Sequence, residues 1–396
     1  MIVNDVALAM ITAPAAIFGY AYVGYPLVLV TLTRRRKNDS PSSAELPSVT
    51  ITVPVHNEER NLADVLDALL AQDYPAEKRQ ILVISDASTD RTDEIAASYA
   101  GRGVELLRLP ERRGKTAAEN AADTVVRSDL IVNTDATVRL APSALRTLVR
   151  SFADPTVGVA SGRDVSVGAL DSEANRGEGG YVGYEMWVRG LETRFHSIVG
   201  ASGCFYATRR SLYDGAFPEG LSRDFASALI ARKHGYRAIS VQDAVCLVPR
   251  TASLRSEFKR KVRTMARGLQ TLWYMRALMN PVAYGRFAFC LISHKLCRWL
   301  VSLLLPLSVA GLALLSPSYA AARVALGALL IAGVSALTAM RWPERRNVPA
   351  LLALPAFGFA SFAAGFLAWM RAFSGQASAV WEPTRRAAPA VTKRPA

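Results

Sequence analysis

Several short polar clusters in this chain have the residue types needed to handle a phosphorylated ligand. Asp135 follows the β-branched run Leu130-Ile131-Val132, which reads as a buried parallel strand. A residue just past the carboxyl end of such a strand stands where open α/β sheets place their ligands. A hard carboxylate there can hold a divalent cation against a diphosphate, or it can cap the turn before a helix that starts near Pro142. Pro54, Asn57 and Glu58 end an earlier run, and Asp86 and Asp90 follow another. Asp86 offers an acceptor to a base or ribose edge, Asp90 suits the cap of the next helix, and Glu58 suits a helix N-terminus equally well. Arg113-Gly114-Lys115-Thr116 looks like part of a phosphate loop, but Leu109 occupies the position of that loop's first glycine. Lys115 remains either a phosphate contact at a helix N-terminus or a solvated lysine.

The elements that must position these residues alternate. Strand patterns cover 49–55, 80–85, 104–109 and 129–133. Between them, Leu62, Val65, Leu66, Leu69 and Leu70 mark one face of a helix, Ile95 and Ala96 belong to a second, and 116–126 gives a third. This order predicts an α/β fold with a mostly parallel sheet covered by helices, and it gathers the polar clusters on one rim.

The ends of the chain are different. At 396 residues, 51% hydrophobic and mean hydropathy +0.17, the apolar content is high for a soluble enzyme and concentrates at both termini. Residues 6–32 contain no charge, long enough for a transmembrane helix and too long, without a basic start, for a signal peptide. Arg34, Arg35, Arg36 and Lys37 follow, which places the next segment in the cytoplasm. Further spans are predicted over 299–315, 324–340 and 348–370, with Ser293-His294-Lys295 and Arg298 as the cytoplasmic anchor. The resulting division is an N-terminal span (1–33), a basic linker (34–47), a cytoplasmic α/β domain (48–278), an interfacial segment (279–298), C-terminal spans (299–371) and a basic tail (372–396). The formal charge of +14 admits nucleic acid, anionic membrane lipid or a diphosphate as partner. Nucleic acid is set aside, because the basic run 250–286 abuts membrane spans and no binding motif accompanies it. A transporter is disfavoured by the few charges within the spans. Four cysteines and four histidines show no metal spacing. Tyr181, Tyr184 and Trp187 recur at helical spacing, as a packing face or as a surface for sugar rings.

The chain resembles the membrane-bound family 2 glycosyltransferases of GT-A fold, related to the cellulose, hyaluronan and poly-N-acetylglucosamine synthases. The matching residues are Pro54-Val55-His56-Asn57-Glu58, Asp86-Ala87-Ser88-Thr89-Asp90, Arg113-Gly114-Lys115, Asp135-Ala136-Thr137, Gly200-Ala201-Ser202-Gly203 and Arg223-Asp224-Phe225. The resemblance implies an inner-membrane enzyme with a nucleotide-sugar donor, specifically a UDP-sugar, a Mg²⁺ or Mn²⁺ cofactor, and a polysaccharide or lipid-linked acceptor. Asp135 would be the metal-binding residue, with Thr137 in place of the second acid of that element. Asp86 would meet the uracil or ribose, with Pro54, Asn57, Glu58 and Lys115 also lining the donor site. Asp224 would be the catalytic base, beside an Arg223 that stands where an acid is common and would lower its pKa. Of the family's Gln-x-x-Arg-Trp element, which falls on 260–264, only Arg263 is retained, and Arg263 and Arg267 would hold the acceptor in place of the missing tryptophan. Residues 380–385 resemble the synthases' Trp-containing tail motif. A membrane nucleotide-binding module with decayed catalysis is the alternative that Thr137 and Arg223 suggest.

Overall fold

The first helix, α1 (Ile2–Gly19), runs through a π-helical turn, Tyr20–Gly24, into α2 (Tyr25–Thr33), and together they form a 32-residue apolar span. The computed structural model describes residues 2–34, 45–167, 173–213, 215–249, 254–342 and 349–375. The basic residues at 35–37 and the tail motif at 380–385 therefore lie outside the described residues. The chain divides into two units, one comprising 1–35, 169–181 and 252–377 and the other 36–168, 182–251 and 378–396.

The second unit carries the sheet. In chain order its elements are β1 (Val49–Val55), α3 (Leu62–Leu70), β2 (Arg79–Ser85), α4 (Thr92–Ser98), β3 (Val104–Arg108), α5 (Lys115–Asp123), β4 (Leu130–Thr134), β5 (Arg139–Leu140), α6 (Ala144–Arg150) and β6 (Val157–Val167). They continue with α7 (Glu173–Phe195), of which 182–195 belong here, then β7 (Phe205–Arg209), α8 (Arg223–Lys233) and β8 (Arg237–Pro249). The sheet order is β3-β2-β1-β4-β7-β6-β8-β5. The first four neighbours are parallel, as the alternating pattern predicts. β7 then enters antiparallel between β4 and β6, β6 and β8 are again parallel, and β5 closes the edge antiparallel to β8. Every side chain of β1 and β4 is buried, as expected for strands with helices on both faces. Leu62, Val65, Leu66 and Leu69 of α3 join β1 and β2 residues in the main core. Pro54 sits in β1 beyond Thr52, the last residue paired with β4, where a missing N–H interrupts no bond to that neighbour.

The first unit continues with α9 (Leu254–Tyr274), α10 (Pro281–Leu291), a π-helical turn Ile292–Leu296, α11 (Cys297–Leu315), α12 (Ala320–Arg341) and α13 (Ala350–Phe373). Among the described residues four helical stretches are long and apolar enough to cross a membrane: Ile2–Thr33, Pro281–Leu315, Ala320–Arg341 and Pro355–Phe373. Small residues let these helices approach closely. At Gly311 of α11 an added Cβ would stand 2.7 Å from the Ala7 carbonyl oxygen of α1.

Two expected boundaries move. The α/β domain does not extend to 278, because α9 groups with the apolar helices: Ala266 and Leu269 pack on Ala368, with Met265, Trp299 and Trp369 around them. The apolar half of this amphipathic helix is thereby covered. The segment 279–298 is not a separate interfacial piece, since α10 runs through the π turn into α11 as one 35-residue stretch, Pro281–Leu315. Ser293, His294 and Arg298 are buried inside the unit rather than forming an exposed anchor. Ser293 Oγ and Tyr20 OH are hydrogen-bonded at 2.7 Å, and the Arg298 guanidinium lies 5.2 Å from the Tyr22 ring centroid. The spans thus hold more polar groups than the hydropathy pattern suggests.

Candidate active site

The rim above β1, β2 and β4 is assembled from loops that hold one another in place. After β1 the chain turns at Asn57, whose φ of 55° lies in the left-handed region that asparagine tolerates better than most residues. Its side-chain oxygen accepts from the Thr89 amide at 2.8 Å, and its own amide donates to Ser88 Oγ at 3.2 Å. The Glu58 amide donates to Thr92 Oγ1, and the Glu58 carboxylate accepts from Asn61 at 2.8 Å. Asn57 and Glu58 therefore tie the first loop to the second and to the start of α3. Asp90 accepts from the Thr92 and Glu59 amides, which is the capping role its position predicts.

Asp86 faces the third loop. Its two carboxylate oxygens accept from the Arg113 amide at 2.7 Å and the Gly114 amide at 2.8 Å, and the residue is 1% exposed. Gly114 has a φ of 99°, which only glycine adopts without strain. The carboxylate expected to meet a nucleoside thus fixes the turn that starts α5.

That turn presents Lys115. Its ammonium donates to Asp135 Oδ1 at 2.6 Å and to the Gly203 carbonyl at 3.0 Å, and lies 3.9 Å from Glu119 one turn along the helix. Burial alone would lower the lysine's pKa; Asp135, then Glu119 and Asp224, more than reverse this and hold it above the ordinary range. Glu119 is buried, and burial raises its carboxyl despite the neighbouring Lys115.

Asp224, in the first turn of α8, approaches the same glycine from the other side. Its Oδ1 accepts from Ser222 Oγ at 2.6 Å and from the Phe225 amide at 2.8 Å. Its Oδ2 lies so close to Gly203 that a Cβ there would overlap it. The glycine loop is pinned in turn by Ser202, whose hydroxyl bonds Asp164 at 2.7 Å and whose amide donates to Ser161 Oγ. Gly203→Ala should push only the end of the Asp224 side chain and leave the fold intact. The expected result is normal expression and thermal melting with a loss of turnover of at least about tenfold, read by initial rates of donor consumption.

Arg223 does not pair with Asp224. It turns into the interior, where its guanidinium bonds Asp123 at 2.5 Å and Asn120 at 2.7 Å and lies 4.0 Å from the Tyr213 ring centroid. Successive helical residues point about 100° apart, so one faces the core while the other faces the rim. Burial raises the Asp123 carboxyl against the pull of Arg223, and burial pushes the Tyr213 hydroxyl up to about 12.

Among the described residues no three His, Cys, Asp or Glu side chains form a metal-ligand cluster. The oxygens of Asp135 and Gly203 nevertheless already hold a cation, the Lys115 ammonium. A hard-oxygen donor pair of this kind fits a divalent ion whose remaining ligands come from a diphosphate. Arg263 and Arg267 lie on α9 in the other unit. Tyr184 and Trp187 form a ring pair 5.9 Å apart, and Trp187 is 46% exposed, so the pair is not core packing.

Sequence reasoning missed Glu119, Asp164 and the Asn120–Asp123 pair. Glu119 was accessible from the Lys115-to-Glu119 spacing on one helix face. The other three meet their partners across long sequence separations and leave no local signal.

Residues 50–217 match the profile described as Glycosyl transferase family 2. An N-acetylglucosaminyltransferase of Mesorhizobium japonicum is 28% identical over 61% of this chain and 60% of its own length. One from Bradyrhizobium diazoefficiens is 28% identical over 64% of this chain and 56% of its own. The alignments thus span little more than half of these curated relatives. The solved structure of the mannosyltransferase PcManGT from Pyrobaculum calidifontis, in complex with GDP-Man and Mn²⁺, superposes with a TM-score of 0.72 at 25% identity, covering 94% of this chain and 99% of that one. By that match the domain that begins in β1, over residues 50–217, is a family 2 glycosyltransferase domain, and the fold around it is shared with the mannosyltransferase structure.

Proposed function

We propose that the protein transfers a sugar, with inversion, from a nucleoside-diphosphate sugar to a growing polysaccharide at the inner membrane. The observation that carries this reading is the convergence of Asp224 and Lys115 on Gly203, with Asp135 bonded to the same lysine. Asp224 Oδ1 is committed to Ser222 and Phe225, which leaves Oδ2 to take the proton of the acceptor hydroxyl as its oxygen attacks the anomeric carbon. Lys115 supplies a positive charge where the leaving diphosphate develops negative charge. A bound Mg²⁺ or Mn²⁺, held by Asp135, would offset that charge further. Asp86, Asn57 and Glu58 act by fixing the loops that carry these groups. The similarity to N-acetylglucosaminyltransferases supports an N-acetylglucosamine donor, and the similarity to the mannosyltransferase solved with GDP-Man supports GDP-mannose as the alternative.

A second reading, addition of one sugar to a lipid-linked acceptor, is favoured by Thr264. It is exposed on α9 where the processive synthases have a tryptophan, and Trp273 stands near the far end of that helix. One experiment tests both. The full chain in nanodiscs is given radiolabelled UDP-glucose, UDP-N-acetylglucosamine, UDP-galactose or GDP-mannose, and the product is sized. A ladder supports polysaccharide extension and a single labelled lipid supports the second reading. Absence of both transfer and nucleotide release with every donor overturns the assignment.

The four apolar stretches support a multi-pass protein, and Arg34 with the basic residues at 35–37 supports a cytoplasmic sheet domain. A reporter fused after residue 37 is expected to be active only in its cytoplasmic form; periplasmic activity overturns the orientation.

A further inference from the structure

We infer that Lys115 is a tethered cation that occupies Asp135 until the donor arrives, so that metal and nucleotide bind as one event. The inference rests on the glycosyltransferase reading and concerns this chain's own residues. The Lys115 ammonium is in hydrogen-bond contact with Asp135 Oδ1 at 2.6 Å and with the Gly203 carbonyl at 3.0 Å. A Mg²⁺ ion binds carboxylate oxygen at about 2.0–2.1 Å and gives up its waters reluctantly. While the ammonium stays on Oδ1, its charge repels the ion and weakens metal binding at this carboxylate. The residue two positions on is Thr137, so no second carboxylate of this element helps a metal displace the lysine.

The lysine also has a second holding point. Glu119 is buried and lies 3.9 Å from Nζ on the same helix face, so the ammonium rests between two carboxylates. An incoming diphosphate brings more negative charge than Asp135 does and offers oxygens in several positions. It draws Lys115 off Asp135, and the freed carboxylate then meets the cation on the phosphate side. Metal affinity in the absence of nucleotide is therefore set by Lys115 as much as by Asp135.

The test is Mn²⁺ titration of the full chain in zwitterionic nanodiscs, read by loss of the free-ion electron paramagnetic resonance signal, with and without UDP or GDP. The wild type is expected to take up Mn²⁺ weakly alone and at least about tenfold more tightly with nucleotide, the size of one charge-assisted contact. Lys115→Met is expected to gain at least about tenfold in Mn²⁺ affinity without nucleotide, and Asp135→Asn in that background to lose the gain. Lys115→Gln serves the same purpose if the Met variant does not keep a wild-type melting transition. Folded variants at position 115 that bind Mn²⁺ no better than the wild type overturn the inference, while nucleotide binding leaves the enzyme reading standing. A wild type that binds neither UDP nor GDP, with or without Mn²⁺, overturns the reading beneath it.

Discussion

Asp224→Asn should lower transfer by about 10²–10⁴-fold, the usual contribution of a positioned general base, while donor affinity stays within a few-fold of the wild type. The amide keeps the size of the side chain and one oxygen able to accept from Ser222 Oγ and the Phe225 amide, so the first turn of α8 retains its geometry. What disappears is the oxygen that faces Gly203 and takes the acceptor's proton. Because the lost interaction belongs to the transition state, kcat should fall and KM should change little. The comparison with Gly203→Ala is informative, since that variant keeps the base and moves it. A variant that retains more than about a tenth of wild-type turnover would remove Asp224 from the role of base. Equilibrium binding of labelled donor and initial transfer rates on the same nanodisc preparation measure the two quantities separately.

The rim was legible in the sequence because its signals are local. β1, β2 and β4 each carry a short β-branched or apolar run and β3 the pair Leu106-Leu107, and a parallel sheet puts the residues that follow them on one edge. Asp90 as a cap and Lys115 at the start of a helix were readable for the same reason. The antiparallel insertion of β7 between β4 and β6 was not readable, since its partners come from distant parts of the chain. The direction of Arg223 was also hidden. Adjacent to Asp224 in sequence, it suggests an ion pair, but the helix turns it toward Asp123, 100 positions away. Asp86 shows another limit: residue type and position predict an acceptor, and two backbone amides satisfy it before any nucleotide does. The division at α9 was hidden because an amphipathic helix has an apolar face whichever unit covers it.

Arg223→Leu should destabilise the sheet domain by about 3–5 kcal/mol, the range for breaking one side of a buried ion pair. Arg223 is 2% exposed, among the largest fully buried side chains, and its partner Asp123 is largely covered as well. Removing the guanidinium leaves the Asp123 carboxylate in the interior with burial already raising its pKa, takes a donor from Asn120 and removes the cation over the Tyr213 ring. The pair is not fully satisfied to begin with, since Arg223 Nε and Asp123 Oδ1 have no protein partner. Its desolvation is therefore incompletely offset, and the double variant Arg223→Leu/Asp123→Leu should recover most of the loss, because no charge remains to be buried. Melting of the single and double variants in nanodiscs, followed by tryptophan fluorescence, measures this. If the double variant is as unstable as Arg223→Leu alone, the arginine stabilises through packing against Tyr213 and not through its charge. Recovery would instead identify Arg223 as a charged brace behind α8. The double variant's remaining transfer rate would then show how far that brace sets the position of Asp224.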